Sequence, residues 1–196
     1  MAVRSTLSNL IMTLRGMAHV SDSDYSINAV DYWSDQQLQD ILDRNRLDLW
    51  RYPLTKIPRA SANLVQYFDH QIEGYQNFEQ TSGGTAIFVI EDSAGNDQGT
   101  ALWSADYNTG MVTFTQDTAG TVLYVNARTY DLNGAAADVW RQKAGHHAIS
   151  YDFSTDNMSV RRSQQITQAQ QMTQYYASQA RAKTAQIFRS DNAGPY

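Results

Sequence analysis

The sequence predicts an α+β fold: a mainly α-helical body carrying an inserted antiparallel β region and closed by a long C-terminal helix. Three observations lead there. Apolar residues recur at helical spacing near both ends, and the middle is a series of short β-branched and aromatic segments split by glycine turns. The third is a run from Asn157 to Ser190, 34 residues without Asp or Glu, holding Arg161, Arg162, Arg181, Lys183, Arg189 and eight glutamines. Residues 1 to 156, by contrast, hold 10 basic and 19 acidic side chains. A basic, Gln-rich terminal segment on an acidic body has the composition of a tail made to lie against another surface.

Val3, Leu7, Leu10, Ile11 and Leu14 share a helical face, so an amphipathic helix opens the chain and the polar stretch Ser21 to Asp31 leaves it. The pattern restarts in WSDQQLQDILDRNR, where Ser34 can cap the first turn and Gln37 can reach back to it. Leu38, Ile41, Leu42 and Leu49 then line one face, and Pro53 and Pro58 end the helix. Strands are expected around Leu64 to Glu73, Thr85 to Glu91, Ala101 to Ala105, Met111 to Gln116 and Thr121 to Thr129. Between them stand turns such as Gly83-Gly84 and Asp106-Tyr107-Asn108-Thr109-Gly110, where glycine accepts positive φ without a Cβ clash. After Tyr130, Asp131 or Asn133 can cap a helix through Ala135-Ala136-Ala137, and Ser159 is expected to cap a last helix running to about Phe188, about 45 Å long. The domain reading is therefore 1–62 as N-terminal helices, 63–130 as the inserted sheet, and 131–196 as C-terminal helices and a docking tail packing with 1–62.

Composition narrows the function. The 196 residues, 42 % hydrophobic, suffice for a real core. No stretch approaches the roughly 18 consecutive apolar residues of a membrane span, so a soluble protein made in a cytoplasm is expected, with no membrane partner. Zero cysteines exclude disulfides, thiolate metal sites and a cysteine nucleophile. A pI near 5.2 argues against a sequence-reading nucleic-acid binder, whose phosphate contacts demand a basic face.

The segments DYNTGMVTF (Asp106 to Phe114), YDLNGAAADVW (Tyr130 to Trp140) and WSDQQLQDILDRNR (Trp33 to Arg46) resemble the head-to-tail connector (adaptor, or head-completion) proteins of tailed bacteriophages. They cover about a third of the chain. The resemblance implies a structural virion protein of the neck, made in a bacterial host's cytoplasm, with no catalytic residue, metal or cofactor. It implies a ring of twelve identical subunits, docked beneath the portal protein and offering its lower face to the next neck or tail protein. Double-stranded DNA would pass through the channel without sequence-specific binding. Such adaptors send a C-terminal segment to the portal, and the residues here that would do so are Tyr175, Tyr176, Arg181, Lys183, Ile187, Phe188, Arg189, Pro195 and Tyr196. Tyr and Arg are the residue types that anchor interfaces. The alternatives are another capsid accessory or tail-end ring protein and, further off, a small soluble enzyme.

Other tempting sites read as structural. His146 and His147 adjoin Asp152, but neighbours on a helix diverge by about a hundred degrees and do not share one ion easily. Asp22, Asp24, Asp31 and Asp35 lack the glycine and spacing of a calcium loop. No Gly-x-Ser-x-Gly elbow occurs, and with three glutamates a paired-glutamate glycosidase is weak. Most of the four Trp and twelve Tyr are expected in the core or in cross-strand pairs.

Overall fold

The computed structural model describes residues 3–21, 25–27, 30–61, 64–148, 153–155, 158–160 and 162–182. A 3-10 turn at Ser5–Leu7 leads into α1 (Ser8–Ala18), the paired strands β1 (Tyr25–Ile27) and β2 (Val30–Tyr32), and α2 (Asp35–Arg44). The sheet region comprises β3 (Arg46–Pro53), β4 (Thr55–Ser61), β5 (Leu64–Gln71), β6 (Phe78–Glu79), β7 (Thr81–Ser82), β8 (Thr85–Ala86), β9 (Val89–Glu91), β10 (Trp103–Asp106), β11 (Met111–Phe114) and β12 (Tyr124–Tyr130). α3 (Leu132–Ala148), the pair β13 (Phe153–Thr155) and β14 (Met158–Val160), and α4 (Arg162–Gln179) follow.

Two cores result. In the helical lobe Leu7, Leu10, Ile11 and Leu14 meet Leu38, Ile41 and Leu42 of α2 and Ala135, Ala136 and Val139 of α3. α2 begins as its sequence demands: the Gln37 N–H donates to Ser34 Oγ at 3.4 Å, and the Ser34 N–H donates to Gln37 Oε1 at 3.0 Å. The alanines of α3 let α4 approach closely, with Ala169 buried between them. Asn133 Nδ2 donates to the Gln179 carbonyl at 3.3 Å, so the start of α3 lies beside the end of α4 and the two run antiparallel.

The β lobe holds two four-stranded antiparallel sheets, ordered β10-β11-β5-β4 and β3-β12-β6, with β9 also paired to β12. Their facing side chains, among them Leu49, Phe78, Phe88, Ile90, Trp103, Val112, Phe114 and Val125, make the second core. Burying each such side chain stabilises the fold by about 1.5–3 kcal/mol. β11 alternates as its sequence predicts, Val112 and Phe114 inward with Met111 and Thr113 half-buried. Across its turn the Asp106 carboxylate accepts the Asn108 N–H at 3.0 Å and the Thr109 hydroxyl at 2.7 Å. Gly110 closes that turn at φ 76°, where a Cβ would stand 2.7 Å from Phe78 Cε2.

Three expectations are corrected. The body is not mainly α-helical, because helices and strands take comparable numbers of residues and the strands form a lobe with a core of their own. α2 stops at Arg44, not near Pro53: Asn45 Nδ2 caps it by donating to the Ile41 carbonyl at 3.0 Å, and 46–53 pairs with β12, which carries Leu49 into the sheet core. The C-terminal helix is not long, since α4 has 18 residues and Ser159 belongs to β14 instead of capping it. Two residues past α4, Arg181 is held by Asp131 and Tyr75.

Candidate functional site

The lobes meet around Glu79, which ends β6 and is fully buried. Its Oε1 lies 3.1 Å from Arg4 Nε and accepts the Thr6 hydroxyl at 3.3 Å, while Oε2 takes Arg128 Nη1 at 3.2 Å and the Tyr130 hydroxyl at 2.6 Å. Arg4 reaches onward to Asp43 of α2 at 2.5 Å, and Arg128 to Asp48 of β3 at 3.0 Å. Burial, and then the adjoining Glu79 carboxylate, push the Tyr130 phenol far above its ordinary pKa, so it remains a donor. A buried carboxylate without partners is costly, so this set holds the N-terminal turn, α2, β6 and β12 in one arrangement.

Of the residues expected to dock, Arg181 is held near the same joint. Asp131 caps α3 by accepting the Gly134 N–H at 3.0 Å, and its second oxygen accepts the Arg181 N–H at 2.7 Å. The Arg181 guanidinium lies 4.6 Å above the Tyr75 ring centroid. Together with Asn77, Tyr130 and Gln179, these groups line an open, polar groove of about 540 Å³. Tyr176 faces the helical core, and its hydroxyl donates to the Met17 carbonyl at 3.1 Å. Burial raises its pKa, and Tyr175 adds to the effect. Tyr175 packs edge-on against Tyr176 at 5.1 Å and is exposed. Lys183, Ile187, Phe188, Arg189, Pro195 and Tyr196 lie outside the described residues. Of the described candidates, two serve contacts within the chain and Tyr175 presents a large free face.

Asp35 sits in the first turn of α2, paired with Arg15 at 2.6 Å. The His146 ring packs edge-on against Tyr32 at 4.8 Å. Asp22, Asp24 and Asp152, with the side chains of Asp31 and His147, lie outside the described set. Among the described residues no three His, Asp or Glu side chains gather as metal ligands would. His70 of β5 is fully buried, edge-on to Phe114 at 5.2 Å, with its Nε2 3.4 Å from Thr118 Oγ1. Burial lowers its pKa.

Sequence reasoning missed the uncovered apolar groups of the β lobe. Trp33, Trp103 and Trp140 are buried as expected, but Trp50 is 79 % exposed, and Leu64 and Val65 stand free at the far end of β5. The signal was present in RLDLWRYP, where Leu49 and Trp50 fall on opposite faces once the segment is a strand. No protein-family model, curated protein or solved structure matches the chain.

Proposed function

We propose that this chain is a structural virion protein, a head-to-tail adaptor whose copies form a ring, dock on the portal, extend the DNA channel and receive the next neck or tail protein. The observation that carries this reading is the set of large apolar groups left uncovered on both lobes: Met12 and Tyr175 on the helical one, Trp50, Leu64 and Val65 on the β one. Trp and Tyr are residue types that anchor the centres of protein interfaces, and uncovered apolar patches mark interaction surfaces. An adaptor needs several such surfaces at once, for its neighbours in the ring, for the portal and for the protein below. The three resembling segments also fall on working joints. WSDQQ makes the α2 cap, DYNTG the β10-β11 turn, and YDLNGAAADVW supplies Tyr130 to the Glu79 cluster and Asp131 to the α3 cap.

The acidic composition suits a channel. Carboxylates repel the phosphate backbone, so DNA slides through such a ring without sticking. No chemistry on a substrate is assigned to the chain. The test is electron microscopy of the protein with purified portal, together with binding of a variant lacking residues 181–196. A ring seated on the portal that the truncation abolishes is the expected result. Full binding by the truncated chain removes the C-terminal docking model, and a ring that ignores portal points to a tail-end ring protein.

A further inference from the structure

β11 flanks β5 only from Asp69 to Gln71, and the following loop reaches no farther than Tyr67, whose N–H donates to Asp117 Oδ1 at 2.9 Å and whose carbonyl accepts the Thr118 N–H at 3.1 Å. Beyond that point β4 and β5 continue as a ribbon, with Arg59 opposite Gln66, Ala60 opposite Val65 and Ser61 opposite Leu64. Among its described residues Leu64 is 68 % and Val65 57 % exposed. A two-stranded ribbon by itself is marginally stable in water, and bare apolar side chains at its end make it more so.

A second bare patch lies on the other sheet. β3 is an edge strand, and its pairing with β12 slips between Val125 and Ala127. Asn126 Oδ1 accepts the Arg51 N–H at 2.7 Å across this bulge, and Arg51 takes φ 44°. A bulge re-aims a neighbouring side chain, and here Trp50 stands clear of the sheet. The ribbon does not cover the Trp50 of its own copy, which is exposed while Leu64 and Val65 are bare as well. β4 starts two residues after β3 ends and, paired with β5, extends for seven residues, roughly 23 Å at about 3.3 Å per residue.

We infer that the β4-β5 ribbon of one copy docks on the Trp50 face of a second copy, with Val65 packing on the indole and Leu64, on the opposite face of the ribbon, at the margin of the contact. The inference rests on the ring reading above and names its contact. The donor and acceptor patches are different surfaces of one chain, so each copy uses both and the contact propagates head to tail, the geometry that closes rings. Charge favours the pairing as well. β4 and β5 together carry Lys56, at their β11-flanked end, and Arg59 against Asp69, a net of one positive charge, whereas the loop held by Arg51 carries Glu91, Asp92 and Asp97, a net of two negative charges with Arg51.

The chain has no cysteine, which makes thiol cross-linking free of background. A variant that keeps Trp50 and carries both Ser93→Cys, in the loop held against Arg51, and Val65→Cys is treated with a short bis-maleimide. A ladder of covalent dimers, trimers and higher species is expected, and neither single variant should give one. Trp50→Arg, at an exposed position that leaves the fold intact by circular dichroism, is expected to weaken self-association about tenfold or more in sedimentation. Covalent dimers from Val65→Cys alone would mean a symmetric contact and overturn the inference. So would a wild-type ring with no ladder, or a Trp50→Arg ring that stays intact and loses only portal or neck binding. A ladder without portal binding removes the adaptor reading and keeps this contact. A chain that stays monomeric at every concentration overturns both.

Discussion

At the scale of single residues, burial decides what a charge is worth. Glu79 and Asp48 both pair with Arg128, yet Glu79 is fully buried and the Asp48 side chain is 55 % exposed. Removing the buried partner leaves two guanidinium groups facing a cavity, whereas water replaces the exposed one. Glu79→Ala is therefore expected to lower the unfolding free energy by about 3–5 kcal/mol and Asp48→Ala by less than about 1 kcal/mol, read by urea denaturation. Comparable losses at both positions would refute a buried joint. His70 gives a pH dependence of defined sign. Burial holds its folded pKa below the ordinary value of 6.5, so above that pH both states are neutral and its contribution is complete. As pH falls below 6.5, the unfolded chain takes up a proton that the folded one refuses, and stability declines until the folded pKa is reached. The thermal midpoint of the wild type should drop over that interval, and His70→Gln should flatten the drop.

At the scale of elements, local signals hold wherever no other segment competes for the backbone. The Ser34 cap, the Asp106 turn and the alternation of β11 are all set by residues within a few positions of one another. Ser34→Ala is expected to cost about 1 kcal/mol, with faster hydrogen exchange confined to the first turn of α2. Gly110→Ala should cost more, about 1–3 kcal/mol, because the residue sits at φ 76° and its Cβ would press on Phe78, itself locked in the core. An Ala variant as stable as the parent would show that the turn relaxes freely. α2 and α4 illustrate the opposite case. Apolar spacing continues past Arg44, but β12 offers a full ladder of backbone bonds to 46–53, and tertiary pairing overrides helical period.

At the scale of the whole molecule, the proposed assembly joins an acidic body to a basic C-terminal segment. If Lys183 and Arg189 dock into an acidic groove of the portal, binding should weaken as ionic strength rises from about 0.1 to about 1 M, where the screening length shrinks from about 10 to about 3 Å. Lys183→Glu with Arg189→Glu should reproduce that loss at low salt. Salt-independent affinity in surface plasmon resonance would instead assign the docking to apolar contacts such as Tyr175. The contact between ribbon and Trp50 differs in character. Its apolar centre should survive at salt concentrations that release the portal, so rings are expected to outlast the complex.

The sequence by itself determined the order of helix, sheet and helix, the cap of α2, the turns of the β lobe, the alanine face of α3 and the charge contrast between body and tail. All of these depend on residues near one another in the chain or on composition, which local physics can read. Only the tertiary structure decided that the strands build a lobe with its own core, that α4 ends at Gln179, that Tyr176 and Arg181 turn inward, and that Trp50 alone of the four tryptophans stands bare. Each of these depends on partners far off in sequence, Met17 for Tyr176, Tyr75 and Asp131 for Arg181, β12 for β3, and the free energy of such contacts exists only once the chain has brought both sides together.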